Sequence, residues 1–220
     1  MMARNNPTPW WRRGVFLVPL GTVALLVAMF FNTTFVGAGQ QAQAADTAVE
    51  YAQLNYSDVI VPAIVDKAQD LAPLAEKIVA DPEAAGEEFG RHEDAGKPYS
   101  YAVTATGTVE EGEFGEVALA VDGMPDGVTV GVAIPPLGSS TALRDAGTDL
   151  TFGSFTNQTE YQNVAIELNK LAAAEVYADL KLADHIGQQI TVTGALTWSS
   201  KTGGAVSHVT IIPVAIEVQS

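Results

Sequence analysis

The chain has 220 residues, 47% hydrophobic and 17% charged, so it can fill a core of ordinary domain size and is not a disordered composition. Eleven basic residues against 26 acidic ones give a formal charge of −15, which opposes general affinity for nucleic-acid phosphates or anionic lipid headgroups. With no cysteine, the chain has no disulfide, zinc–thiolate site, iron–sulfur cluster, cysteine nucleophile or lipid-modified cysteine.

The charge is distributed unevenly. Arg4, Arg12 and Arg13 precede an uncharged stretch from Gly14 to Ala45, and all acidic residues follow it. Within it, Gly14 to Phe31 is apolar apart from Gly, Pro and Thr, long enough to match a hydrocarbon core of about 30 Å. Trp10 and Trp11 suit the headgroup layer, and the arginines keep that end cytoplasmic. The expected organisation is a basic tail (1–13), a single-pass signal anchor (14–37), a spacer and helical segment (38–98), and a main domain (99–220) beyond the membrane. The alternative is a secretory signal cleaved near Ala44, after Ala42-Gln43-Ala44. The apolar run exceeds a usual signal core of roughly 7–15 residues and ends well before that point, which favours the anchor.

From Asp46 to Ala80, apolar residues recur at three- and four-residue steps, predicting helix, with Pro62 and Pro73 expected to start or kink its pieces. Asp81-Pro82-Glu83 reads as the capped start of a short helix ending at Gly90. After Lys97 the pattern turns to strands. Tyr99–Val109, Val117–Val121 and Val128–Ile134 form a meander, with Met124-Pro125-Asp126-Gly127 as a hairpin turn. Asn157 caps a helix with Glu160 as its reciprocal partner, and Gln189–Trp198 and Val206–Val218 are two further strands. Strands, one capped helix, then strands predict an α+β chain whose main domain is an OB-like antiparallel β-barrel, with that helix plugging one end.

Few residues suggest chemistry. Arg144 and Arg91 are the only arginines after Arg13. The guanidinium of Arg144 could fork onto a carboxylate, phosphate or polyol, or pair with Asp145, Asp149 or a helix carboxylate and pin its loop. Arg144, Asp145, Asn157, Gln158 and Asn169 are the candidate ligand-binding residues, with Asn157 also a helix cap. His92, His185 and His208 are far apart without acids at metal-ligand spacing and are expected on the surface. Glu110-Glu111-Gly112-Glu113 and Glu87-Glu88 lack the pattern of a calcium loop, and Ser139-Ser140 lacks a nucleophile elbow and an assignable base. No metal, cofactor or catalytic activity is therefore expected.

The segments ADPEAAGEEFG (Ala80 to Gly90), PYSYAVTATGTV (Pro98 to Val109), TALRDA (Thr141 to Ala146), FTNQTEYQNVAIELN (Phe155 to Asn169), IGQQITVTGAL (Ile186 to Leu196) and IIPVAIEV (Ile211 to Val218) resemble the bacterial family of domain of unknown function 2291. The resemblance implies a periplasmic, lipoprotein-like protein associated with sugar ABC import systems. The chain departs from it at Pro135–Ser140, where a basic residue is missing, and in having no lipobox cysteine. The expectation is a membrane-tethered extracytoplasmic accessory or solute-binding module, with transporter components or a small polar solute as partner. The alternative is a structural or protein-interaction domain of the envelope.

Overall fold

The computed structural model describes residues 47–113, 115–155, 157–200 and 203–219. The expected basic tail, anchor and cleavage site lie outside the described residues. Among the described residues no helix is long and apolar enough to cross a membrane.

Five strands close a barrel. β3 (Ser100–Glu110) pairs antiparallel with β4 (Glu116–Ala120) through its last residues, and with β6 (Gln189–Thr197) along Ser100–Thr108. β4 pairs antiparallel with β5 (Thr129–Ala133), β5 lies parallel to β7 (His208–Val218), and β7 returns antiparallel to β6. The alternation read in the sequence becomes a dry interior: Tyr101, Val103, Val117, Leu119, Val130, Val132, Val192, Val209 and Ile211 all point into one buried cluster.

The segment before the barrel is helical and broken, with each proline near the start of a piece as expected. α1 (Ala48–Asn55), capped by Thr47, runs through a π-helical stretch (Tyr56–Ile60) into α2 (Val61–Lys67). Pro73 lies in the first turn of α3 (Leu71–Ala80), where a proline's missing N–H costs no helical hydrogen bond, and Pro62 lies at the start of α2, directly after the π-helical stretch. The actual break is β1 (Gln69–Asp70), which pairs parallel with Val103 and Thr104 of β3. α4 (Pro82–Phe89) starts as expected: Asp81 accepts from the Ala84 N–H at 3.1 Å, and Gly90 ends the helix. β2 (Gly90–Arg91) then pairs with the start of β3. These short strands cover the part of β3 that β4 does not reach.

A second core lies outside the barrel. Ala102, Ala195, Ile212 and Val214 pack against α1, α2, α5 (Ala142–Gly147) and α6 (Gln158–Val176), and small residues on β3 and β6 let the helices approach closely. α5 lies where the sequence pattern predicts a loop.

α6 is the helix expected between the third and fourth barrel strands, but its apolar stripe, including Val164, Leu168 and Ala172, faces this outer core. Leu182, in the turn after α6, and Leu71, Leu74 and Ile78 of α3 join the interior cluster instead. The anticipated reciprocal cap is also rearranged. Asn157 accepts from the Thr159 N–H at 2.8 Å, while Glu160 accepts from the Ala48 N–H at 2.7 Å, placing its charge at the N-terminus of α1.

Five of the six tyrosines are held in their neutral form by burial, with Tyr51, Tyr101 and Tyr161 pushed up to about 12 and Tyr56 and Tyr177 higher. Between the ordinary tyrosine range near 10 and those values, only the unfolded chain loses the protons, so rising pH favours unfolding. Urea midpoints measured from pH 8 to 11.5 should be flat to about pH 9 and then fall, with the phenolate absorbance of these five tyrosines appearing only as the chain unfolds. A midpoint unchanged at pH 11.5 would contradict this burial.

Candidate functional site

Among the described residues, Arg144, Asp145, Asn157 and Asn169 are each engaged in contacts within the protein. Arg144, on α5, is 2% exposed and directed into protein. Nε donates to Asp145 Oδ1 at 2.8 Å, Nη2 lies 2.7 Å from the same oxygen and donates to Glu93 Oε2 at 3.3 Å, and Nη1 donates to the Tyr161 carbonyl at 3.3 Å. The guanidinium lies 4.1 Å from the Tyr161 ring centroid, in cation–π geometry. With its fork occupied by two carboxylates and a carbonyl, Arg144 fastens α5 to α6 and to the segment before β3, and Asp145 is one of its anchors.

Arg91 pairs with Asp149 and joins the same two stretches of chain. Asn157 is used as the cap of α6, and Gln158 is exposed in its first turn. Asn169 is buried, and its Nδ2 donates to the carbonyls of Gly138 and Ser140 at 3.1 and 3.0 Å, holding the loop before α5.

A cleft of about 590 Å³ opens instead where the β6–β7 loop meets the start of β3. Tyr99, Trp198, His92, Lys97, Glu83 and Ser200 are among its lining residues. Each aromatic is positioned by backbone. The Trp198 N–H donates to the Tyr99 carbonyl at 2.9 Å, extending the β3–β6 ladder to the cleft's edge. The Tyr99 ring lies over Gly86 of α4, where any Cβ would overlap it, and His92 meets it edge-on at 4.7 Å between centroids.

His92 Nδ1 lies 2.6 Å from the Asp94 carbonyl, which can only accept, so Nδ1 carries the proton and Nε2 is the free acceptor of the neutral ring. Lys97 makes no ion pair among the described residues. The cleft therefore combines flat apolar rings with a cationic donor, a carboxylate and serine hydroxyls, the chemistry that takes a polar solute with one apolar face.

Sequence reading treated Tyr99 and Trp198 only as strand ends, because nothing local marks two such ends as neighbours. Sequence spacing gives the histidines no acid at metal-ligand separation, and the partner the structure supplies comes from another strand: His208 Nε2 lies 2.7 Å from Glu116 Oε1. The pairing depends on barrel register, which no local spacing reveals.

The profile of domain of unknown function 2291, described as predicted periplasmic lipoprotein, matches residues 23–217. The chain belongs to this family. No curated protein matches the chain. The crystal structure of an OB-fold protein from Thermotoga maritima is similar with a TM-score of 0.59 at 18% identity, over 78% of this chain and 98% of that one. That likeness shows the fold, and the strand order β3-β4-β5-β7-β6 closing on β3 agrees with it.

Arg144→Ala in this family member should cost about 3–5 kcal/mol of stability, because it leaves Glu93 and Asp145 without their cation and opens a void beside Tyr161. Urea unfolding reads it directly. An unshifted midpoint would return Arg144 to the ligand-binding candidates.

Proposed function

We propose that the chain is a membrane-tethered extracytoplasmic solute-binding or accessory module, serving a sugar ABC import system, with the cleft between Tyr99 and Trp198 as its ligand site. The observation that carries this reading is the cleft itself. Two aromatic rings can lie against the C–H face of a pyranose, while Lys97, Glu83 and Ser200 stand beside them to hydrogen-bond hydroxyls. Its place on the barrel supports the reading, since the loop joining the last two strands is one that OB folds use to hold oligosaccharides and oligonucleotides. The charge of −15 disfavours the oligonucleotide alternative.

Family membership supports the compartment, and the apolar run from Gly14 to Phe31 would do the tethering in a chain without cysteine to carry a lipid. A ligand bound only by the folded state stabilises it by about 2.7 kcal/mol at a hundred times Kd, and a panel of mono- and disaccharides should include one that raises Tm saturably. The same sugar should shift Trp198 fluorescence, and Trp198→Ala should lose the response. A broad panel that leaves Tm and fluorescence unchanged would rule the cleft out as a sugar site.

A further inference from the structure

Away from the cleft, the outer face of the barrel carries a line of polar side chains across three strands. Thr129 Oγ1 of β5 lies 2.8 Å from His208 Nδ1 of β7, and His208 Nε2 lies 2.7 Å from Glu116 Oε1 of β4. Thr210 Oγ1 donates to the other carboxylate oxygen at 2.8 Å and lies 3.3 Å from His208 Nε2.

Glu116 must cross β5 to reach β7, and Gly131 makes the crossing possible: a Cβ there would lie 2.5 Å from Glu116 Oε2. Exposure rises along the line, with the Glu116 side chain 19% exposed, His208 35% exposed and Thr129 facing solvent. A hydroxyl is thus hydrogen-bonded to a base, the base is oriented by a carboxylate, and the hydroxyl is the member that a substrate can reach.

The network is satisfied in both protonation states of the ring. A carboxylate only accepts, so Nε2 carries a proton toward Glu116, and in the neutral ring Nδ1 is the acceptor for the Thr129 O–H. In the charged ring Nδ1–H donates to Thr129 Oγ1, and the hydroxyl proton turns to the Ser207 carbonyl at 3.2 Å. His208 can therefore gain and lose a proton without stranding Glu116.

We propose that Thr129 is a nucleophile, with His208 as its general base and Glu116 as the positioning residue, and that this face accepts the acyl group of an ester. Thr129 Oγ bonds to the ester carbonyl carbon as its proton passes to His208 Nδ1. The bond to the alcohol oxygen breaks, and that alcohol leaves with the proton. Water then attacks the acyl–Thr129 ester, giving a proton to His208 that returns to Thr129 Oγ as the acid departs. The balance is ester plus water to acid plus alcohol, with no further reactant.

The site does not depend on the sugar-binding reading, and either can fail without the other. The test is labelling of the full chain with an alkyl fluorophosphonate. Thr129 Oγ would form the bond to phosphorus, and fluoride would leave as His208 takes the proton. Peptide mass mapping should place one adduct on Thr129, retained in Thr129→Ser and absent in Thr129→Ala. His208→Gln should slow labelling by about a hundredfold or more, the contribution expected of a general base. Gly131→Ala, which displaces the Glu116 carboxylate and leaves Thr129 and His208 in sequence, should slow it as well, and it decides the matter if His208→Gln does not fold. No adduct, an adduct elsewhere, or a Thr129 adduct formed at the wild-type rate in both variants overturns the proposal.

Discussion

The parallel pairing of β5 with β7 is the constraint on which the barrel depends. The other barrel pairings are antiparallel, and a meander of that kind stays an open sheet until a strand from later in the chain closes it. A parallel neighbour cannot be reached by a tight turn, so the chain between β5 and β7 must make an excursion, and α5, α6 and β6 form it. The closing register also fixes chemistry. Thr129 stands opposite His208 and Gly131 opposite Thr210. A slip of one residue would turn His208 inward and Val209 outward, placing an ionisable ring in a dry interior and an apolar side chain in water. The cost of that exchange keeps the polar line on the outer face.

Much of this architecture was legible in the sequence. Alternation placed the five barrel strands within a few residues of their observed ends, and the cap at Asn157 placed α6. The elements that were missed share a physical cause: their stability is not local. β1 and β2 have two residues each and exist only because the edge of β3 is available to them. α5 has six residues and no side-chain cap, and it is held by the buried packing of Leu143 and the ion pairs of Arg144. Glu160 was expected to complete its own helix cap, but the nearby end of α1 offered an amide that only tertiary structure brings within reach.

The candidate site was legible to a smaller degree. Of the two roles considered for the guanidinium of Arg144, the structure shows pairing with Asp145. Glu93, its other carboxylate partner, could not be named because it lies across the fold. With so few cations, both arginines beyond the N-terminal segment join the stretch around residues 91–93 to the stretch around residues 144–149. Both arginines among the described residues are thereby engaged away from the two regions proposed for chemistry, and Lys97 lines the aromatic cleft.

Both proposed sites lie at the ends of the loop that joins β6 to β7. It begins at Trp198, hydrogen-bonded to Tyr99, and ends at Ser207, whose carbonyl accepts from both the N–H and the hydroxyl of Thr129. The described residues between these ends include Gly203 and Gly204, both at positive φ, where a side chain would strain the backbone. The aromatic wall of the cleft and the hydrogen-bond acceptor behind Thr129 are therefore set by the barrel strands at the two ends of that connection. Such an arrangement lets the loop vary in length or composition without moving either anchor, because Trp198 and Ser207 are held by backbone ladder bonds rather than by the side chains between them.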